Sequence, residues 1–538
     1  MPTQSANPPE LSTIYAWKGL NQQSRRGSID DQELWWDENL FAIGEGNLRA
    51  CWGRGPAIYT TKGGRTIRRI FFGFIGNETA QFDNPPPGRL GWMFLSDGTV
   101  DQVDLDTQQV THVGAVWEPV KPQFWASAKV WRPRYFGNVA GQVGGVLIGS
   151  PQGFYAWDGS VLSSPGDTAP DWLTNAAEQT PEAPPTTMPS GLPGINCMEV
   201  YQNRVWVAGK DVISFSAPSN GADFSTTNGG GSFGYFGDRL TYAFMDLAQS
   251  AGYLYVFGDS ATDVITNVIL TGTGTPEAPF TTAFNYSNVD SQVGQRFPRP
   301  VGRMGRHFLH WNGAGIFQTT GGDAQPIGNK VSNTFMTLDT SDYLPTMATA
   351  TMFNFRVVLC NGKFTDPFGV TRNLMLMWHP VAQGGFWSVA SQETDMTNIG
   401  YYEQDSICTP YGTDGTSLYQ LFAQPSPTLV KRLSTKAVRG NGVQMITIKD
   451  YKRLYMEVHD NSGKGVSFTG TQTCGGGGVP GGTEDIGFEL PEGKRFDIIP
   501  QPTEGKGIWA AVDLQSKSPD FTVERFHFGA EMKTLFGA

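Results

Sequence analysis

Charge is scarce in this sequence. Asp, Glu, Lys and Arg make up 17% of 538 residues, too little for the long solvated faces of surface helices. Histidine is rarer still: the six, His112, His307, His310, His379, His459 and His527, show no ligand spacing. His307 and His310, three apart on an expected strand, point to opposite faces, which is wrong for one ion. The five cysteines, Cys51, Cys197, Cys360, Cys408 and Cys474, are odd in number and lack a C-x-x-C pair. They read as buried free thiols of a reduced compartment, without structural zinc. The start, MPTQSANPPELSTIY, lacks a basic segment followed by an apolar run, and no later apolar stretch approaches the roughly 18 residues of a membrane helix. The chain is therefore expected to fold in a cytoplasm without spanning a membrane. G-x-S-x-G, H-E-x-x-H and P-loop motifs are also missing, so nucleophilic, metal and nucleotide chemistry lack a foothold and no cofactor is expected.

Glycine (67), proline (35) and aromatics (12%) are plentiful, a balance that supplies turns and sheet packing. All-β is the expected class. The length exceeds what one core organises, so it calls for several domains or one radially repeated domain with appendages. From about residue 89 a unit of apolar strand, tight turn and apolar strand recurs. Its first instance is Trp92 to Leu95, Ser96-Asp97-Gly98, then Thr99 to Leu105, and its second runs from Val146 to Gly159. Further instances start near Val205, Tyr253, Phe308, Val357 and Ser417, at roughly 50 to 60 residue intervals. A small sheet cannot bury both faces alone, whereas sheets stacked around an axis can, so the pattern predicts a degenerate β-propeller of six or seven blades over 86–435. A series of β-sandwiches is the competing architecture. Beyond Lys436 the strands take sandwich-like spacing, and 436–538 reads as a C-terminal β-sandwich-like domain. Residues 1–85 read as an irregular N-terminal segment with an interface or packing role, anchored by Trp35 and Trp36 amid acids. The glycine-rich loop through 474–482 lacks the Lys-Ser/Thr ending of a phosphate cradle and reads as a hairpin tip.

The propeller expectation raises sugar hydrolysis, but LSDGTVDQV and PYGTDGTSLYQ both fail the sialidase turn Ser-x-Asp-x-Gly-x-Thr-Trp. Asp101, Asp104 and Asp106 sit beside turns, where solvated charge is ordinary, rather than as a facing pair. Two basic clusters remain: Lys62, Arg65, Arg68 and Arg69, and Arg296, Arg299, Arg303 and Arg306. Either they touch phosphate in an assembled ring, or they form subunit ion pairs and solvated edges. With a formal charge of −11 the whole chain repels polyanions, so any contact with nucleic acid must be local.

The stretch YQNRVWVAGKDVISFSAPSNGADFSTTNGGGSF, residues 201–233, combines Asn-Arg-aromatic, a hairpin, Ser-Ala-Pro, Asp-Phe-Ser and a glycine run. Near the start, WKGLNQQSRRGSIDDQELWWDENLF is followed by GNLRACWGRGPAIYT. Together with YLYVFGDSATDVITNV and the ending SPDFTVERFHFGAEM, these resemble the tail hub or nozzle proteins of short-tailed bacteriophages, also called DNA-stabilisation or tail tubular proteins. The resemblance implies a non-enzymatic virion protein with a β-propeller. Six copies would ring below the portal and its head-to-tail adaptor, beside fibres or spikes, after assembly in the host cytoplasm. The ring would hold packaged double-stranded DNA and conduct it on ejection through transient non-specific contacts. The alternatives are a tail glycan hydrolase and a receptor-binding propeller at the tail tip. The loop 474–482 has no counterpart in the resemblance.

Overall fold

The computed structural model describes residues 10–43, 46–76, 88–116, 127–131, 145–150, 153–163, 197–209, 212–218, 221, 224–234, 244–297, 301–312, 314–380, 385–439, 447–476, 478 and 480–535. Strand dominates throughout. The one α-helix among the described residues is Ser332–Phe335, and no described helix is long and apolar enough to cross a membrane.

Six four-stranded antiparallel sheets and four consecutive antiparallel strands of a larger sheet form a β-propeller of seven blades. Blade 1 is Ile67–Gly73, Leu90–Leu95, Thr99–Asp104 and Val110–Ala115; blade 2 is Ser127–Trp131, Gly145–Ser150, Gly153–Trp157 and Leu162–Ser163. Blade 3 is Cys197–Tyr201, Arg204–Ala208, Val212–Phe215 and Gly231–Gly234; blade 4 is Phe244–Ser250, Tyr253–Gly258, Thr262–Thr271 and Thr281–Asp290. Blade 5 is Gly302–Met304, His307–Trp311, Ile316–Thr319 and Gln325–Pro326; blade 6 is Thr346–Met352, Phe355–Thr365, Thr371–His379 and Phe386–Ala390. Blade 7 takes Asn398–Gln404, Ile407–Thr413 and Ser417–Gln420 from one end of the propeller sequence and its outermost strand, Ala57–Thr60, from the other. That fourth strand closes the ring, with Ser417 opposite Thr60 and Leu418 opposite Tyr59.

The first strand of each blade is innermost, and those of blades 2 and 3, 3 and 4, 5 and 6, 6 and 7, and 7 and 1 lie side by side. Between blades the faces are apolar: Trp92 and Phe94 of blade 1 meet Val146 and Ile148 of blade 2, and Tyr255 and Phe257 of blade 4 meet Phe308 of blade 5. Local chemistry explains the hairpins. In blades 3, 4, 6 and 7 the first two strands are joined by two residues, both at positive φ: Gln202-Asn203, Ala251-Gly252, Phe353-Asn354 and Asp405-Ser406. Such turns match the right-handed twist of the strands they join. A second device recurs in Asp97-Gly98-Thr99, Asp158-Gly159-Ser160 and Asp414-Gly415-Thr416, where the Asp Oδ1 accepts the backbone N–H and hydroxyl two residues on.

The C-terminal domain is a sandwich of two sheets. One runs Leu40–Ile43, Asn47–Ala50, Phe521–Leu535, Thr447–Asp460 and Phe496–Gly507, with Glu10–Ile14 added on Phe521–Leu535. The other runs Lys431–Thr435, Trp509–Ser516, Val466–Gly475 and Gly482–Leu490. Leu454, Met456, Phe526 and Phe528 face Phe468, Phe488, Val512 and Leu514 across a shared core. The expected irregularity of residues 1–85 is corrected here: the segment contributes strands to the sandwich, to the ring closure and to blade 1. Several of these short strands have partners hundreds of residues away, Glu10–Ile14 and Asn47–Ala50 on Phe521–Leu535 and Ala57–Thr60 on Ser417–Gln420, so no local periodicity marks them. Likewise, the propeller begins before residue 86, and the sandwich recruits strands from before residue 436.

Leu34–Glu38 joins the two domains. It pairs in parallel with the outer strand of blade 6, Glu38 opposite Val389, and antiparallel with Lys431–Thr435, which makes one nine-stranded sheet. Asp37 on this strand is fully buried, and neither carboxyl oxygen has a hydrogen-bond partner. Burial, reinforced by Glu38, holds its pKa well above the usual carboxylate range. A carboxyl that binds its proton more tightly when folded adds no penalty below its unfolded pKa near 3.8, but costs stability increasingly as pH rises toward its folded value. Asp37→Asn removes that cost. Thermal unfolding should show the variant more stable than the parent by about 1–3 kcal/mol at pH 7–8, with the gain vanishing at pH 4.

Candidate functional site

A cavity of about 740 Å³ occupies the propeller axis, lined by the innermost strands. Six charged residues line it among the described residues: Arg69 of blade 1, Glu199 of blade 3, Asp246 of blade 4, Arg303 of blade 5, and Glu403 and Asp405 of blade 7, where Glu403 pairs with Arg356 at 2.8 Å. The first four sit on strands whose alternate residues pack between blades, so the pleat sends the charged residue toward the axis. The Arg303 guanidinium donates to Glu199 Oε2 at 2.7 Å, and its backbone carbonyl accepts from the Thr349 hydroxyl of blade 6. Burial alone would lower the Arg303 pKa, but Glu199, Tyr401 and Asp246 outweigh it and hold the group above its ordinary value. Arg69 is more deeply desolvated, which lowers it to about 10 against the opposing pull of Asp246. Tyr401 of blade 7 lines the same space with its hydroxyl pushed up by burial. Arg69, Glu199, Asp246 and Arg303 thus bring charges of both signs from four blades to the axis, and the Arg303–Glu199 pair ties inner strands of blades 5 and 3 that share no backbone hydrogen bonds among the described residues.

The two basic clusters of the sequence each send one arginine into this channel and scatter the rest. Lys62 is exposed in the turn before blade 1. Arg65 reaches Asp101 at 3.6 Å and Asp97 at 3.7 Å. Arg68 is half-buried, and its carbonyl accepts from Asn398 Nδ2 at 3.3 Å. Arg296 is exposed over the Phe297 ring, Arg306 is exposed in a hairpin turn of blade 5, and Arg299 lies outside the described residues. Trp36 is fully buried and donates to Glu38 Oε2 at 3.2 Å; Trp35 is half-buried, edge-on to Phe368 and under the Arg26 guanidinium. Both indoles therefore serve the seam between blade 6 and the sandwich, and Trp36 offers no surface to another molecule. His310 is buried against Thr319 Oγ1, whereas His307 meets Gln318. Among the described residues no group of His, Cys, Asp and Glu is placed to hold a metal.

Sequence reasoning missed Glu199 and Asp246. The signal was there: each is a lone acid in an apolar strand, Met198-Glu199-Val200 and Met245-Asp246-Leu247, where alternation would place a charge on an inner face.

No protein-family model matches the sequence, and no curated protein matches it. Among solved structures, the chain is similar to a crystal structure of BBS1N in complex with ARL6DN soaked with lead. That match has 10% identity and a TM-score of 0.39, and covers 69% of this chain and 97% of that one. A mercury-soaked crystal of the same complex gives 10% identity, a TM-score of 0.40 and coverage of 70% and 97%.

Proposed function

We propose that this chain is a structural subunit of the tail nozzle of a short-tailed bacteriophage, in which copies ring a passage that retains packaged DNA and conducts it at ejection. The observation that supports the reading most is what the family-like residues do. In Gly19-Leu20-Asn21, Gly19 has φ +73° and lies so close to the Trp387 carbonyl that a Cβ would fall 2.3 Å from it. Leu20 donates its N–H to that same carbonyl at 2.6 Å. Arg49 bonds Asp520 of the sandwich at 3.1 Å. Arg204 locks together three parts of the 201–233 motif: its Nη1 donates to the carbonyls of Ser216 and Gly229, at 2.7 and 2.6 Å. A resemblance carried by residues that hold domains and blades together favours an architectural task over a chemical one.

The propeller channel is not the DNA passage in this reading. A space of about 740 Å³ crossed by the Arg303–Glu199 pair is the size of a small-molecule pocket and does not admit a duplex. DNA passes instead through a lumen enclosed by several copies, six by the family resemblance. At −11 each, those copies repel the phosphate backbone and let it slide. Glycan hydrolysis fits less well, because Glu199 is committed to the Arg303 guanidinium at 2.7 Å instead of standing free opposite a second carboxyl group as that chemistry needs.

Particles assembled without this protein are the test. They should package DNA and then lose it, measured as nuclease-sensitive genome released from purified heads. Full genome retention in its absence overturns the proposal.

A further inference from the structure

Blade 4 carries an arm that is longer than the outermost strand of any other blade. Its last two strands, Thr262–Thr271 and Thr281–Asp290, are ten residues each, whereas the outermost strands of blades 2, 3, 5 and 7 span two to four residues. No residue from Thr266 to Val289 is buried. The arm nonetheless keeps a hydrogen-bonded ladder to its tip. A bulge at Asn267, φ +53°, re-aims the strand, and the ladder resumes with Ile269 opposite Ala283 and Thr271 opposite Thr281. The tip is closed by the N–H groups of Thr273 and Gly274, which both donate to the Ala278 carbonyl, with the Phe280 ring against Gly274.

One face of the arm is already used. Phe284 packs on Trp206, Phe215 and Phe233 of blade 3, Tyr286 packs on Phe233, and Thr282 Oγ1 donates to the Gly229 carbonyl at 2.6 Å. The opposite face is exposed: Thr281, Ala283, Asn285 and Ser287 on one strand, with Asn267, Ile269 and Thr271 on the other. Ile269 keeps 55% of its surface in solvent, directly beside Ala283. Among the described residues, Thr281–Asp290 pairs with Thr262–Thr271 alone, so its outer edge is open. Soluble proteins blunt such edges with lysine, proline, a charge or a very short strand. From Thr281 to Val289 none of these is present. By contrast, the open edge Gly482–Leu490 of the sandwich carries Glu484, Asp485 and Glu489, and the outer strand of blade 6 is covered by Leu34–Glu38.

Charge indicates what covers the arm. Residues 264–289 hold one charged side chain, Glu277, within a chain of net charge −11. A basic partner would be drawn to clustered acids, and a nucleic acid to lysine and arginine; the arm presents a single acid at its tip and no lysine or arginine. An uncharged, preorganised surface is what two like-charged molecules need where they touch.

We propose that the open edge and outer face of the blade 4 arm are the contact by which this chain binds a second copy of itself. The proposal deepens the ring reading and rests on it for its setting, but self-association of purified protein is measured apart from genome retention, so each can fail alone. Two variants test it. All five cysteines are buried, so Asn285→Cys supplies the exposed thiol on which a maleimide photo-crosslinker can be placed. Illumination should give a species of twice the chain mass, with the adduct bridging two copies. In Ala283→Lys/Asn285→Lys, like charges meet across the contact, and sedimentation should show self-association weakened by about tenfold or more with an unchanged melting temperature. A parent that stays monomeric at every concentration, an adduct confined to one chain, or a lysine variant that associates like the parent overturns the proposal.

Discussion

Arg204→Ala is expected to weaken blade 3 by about 3 kcal/mol, read as a loss of roughly a hundredfold in amide hydrogen-exchange protection across residues 197–234. Arg204 is 2% exposed, and burial holds its guanidinium down to about 10. Its Nη1 bonds are to the carbonyls of Ser216 and Gly229, the near and far ends of the connection between the third and fourth strands of the blade. Alanine strips both carbonyls of a charge-assisted donor and leaves a cavity beside Phe215, which lies 5.8 Å from the guanidinium carbon. Gly229 keeps one partner, Thr282 Oγ1, so the damage concentrates at Ser216 and reaches the blade 4 arm through the loosened glycine run. Arg204→Lys keeps the charge without the planar fork and should recover part of the loss. A change below about 1 kcal/mol in the alanine variant would show that the motif does not hold the blade together.

That motif illustrates how much of the fold can be read from letters. Asp97-Gly98 and Asp158-Gly159 are visible hairpin signals, and the strands around them lie as expected. The more regular feature of the propeller was hidden. Gln202-Asn203, Ala251-Gly252, Phe353-Asn354 and Asp405-Ser406 perform one job, a two-residue turn at positive φ, with four different spellings. Glycine and asparagine take that conformation readily and phenylalanine does not, so Phe353 gives no sequence hint. Phe353 instead packs its ring against Phe41, Trp52 and the Arg49 guanidinium of the N-terminal segment, contacts that accompany an unfavoured backbone.

The candidate site was half legible for a related reason. Arginine clusters stand out in a chain poor in charge, and Arg69 and Arg303 do reach the axis. Their neighbours in sequence do not, because successive residues of a strand face opposite ways and loops turn the remainder outward. The acids that neutralise them come from other blades, and pairing of that kind depends on ring closure, which no window of sequence contains. The ring closes through Ala57–Thr60, from a segment whose own letters suggest no strand repeat.

The seam between propeller and sandwich should be the other place where one substitution has a large effect. Glu38 and Asp366 are 1% and 3% exposed, and Arg372 serves both: its two Nη atoms each lie 2.7 Å from a Glu38 oxygen, and Nη2 is 3.2 Å from Asp366 Oδ2. Arg432 stands further off, 3.9 Å from each acid, and Trp36 Nε1 and Ser391 Oγ complete the hydrogen bonding of Glu38. Arg372→Met leaves two buried carboxylates with one distant cation, and the expected loss is about 3–5 kcal/mol at pH 7. Glu38→Gln/Arg372→Met removes one charge of each sign and should recover more than half of the loss; equal losses for the single and double variants would show that packing, not charge, sets the penalty. Because Glu38 and Arg432 lie on the strands that carry the blade 6 sheet into the sandwich, the single variant should also expose that seam first, with protease cleavage between the domains before either core unfolds.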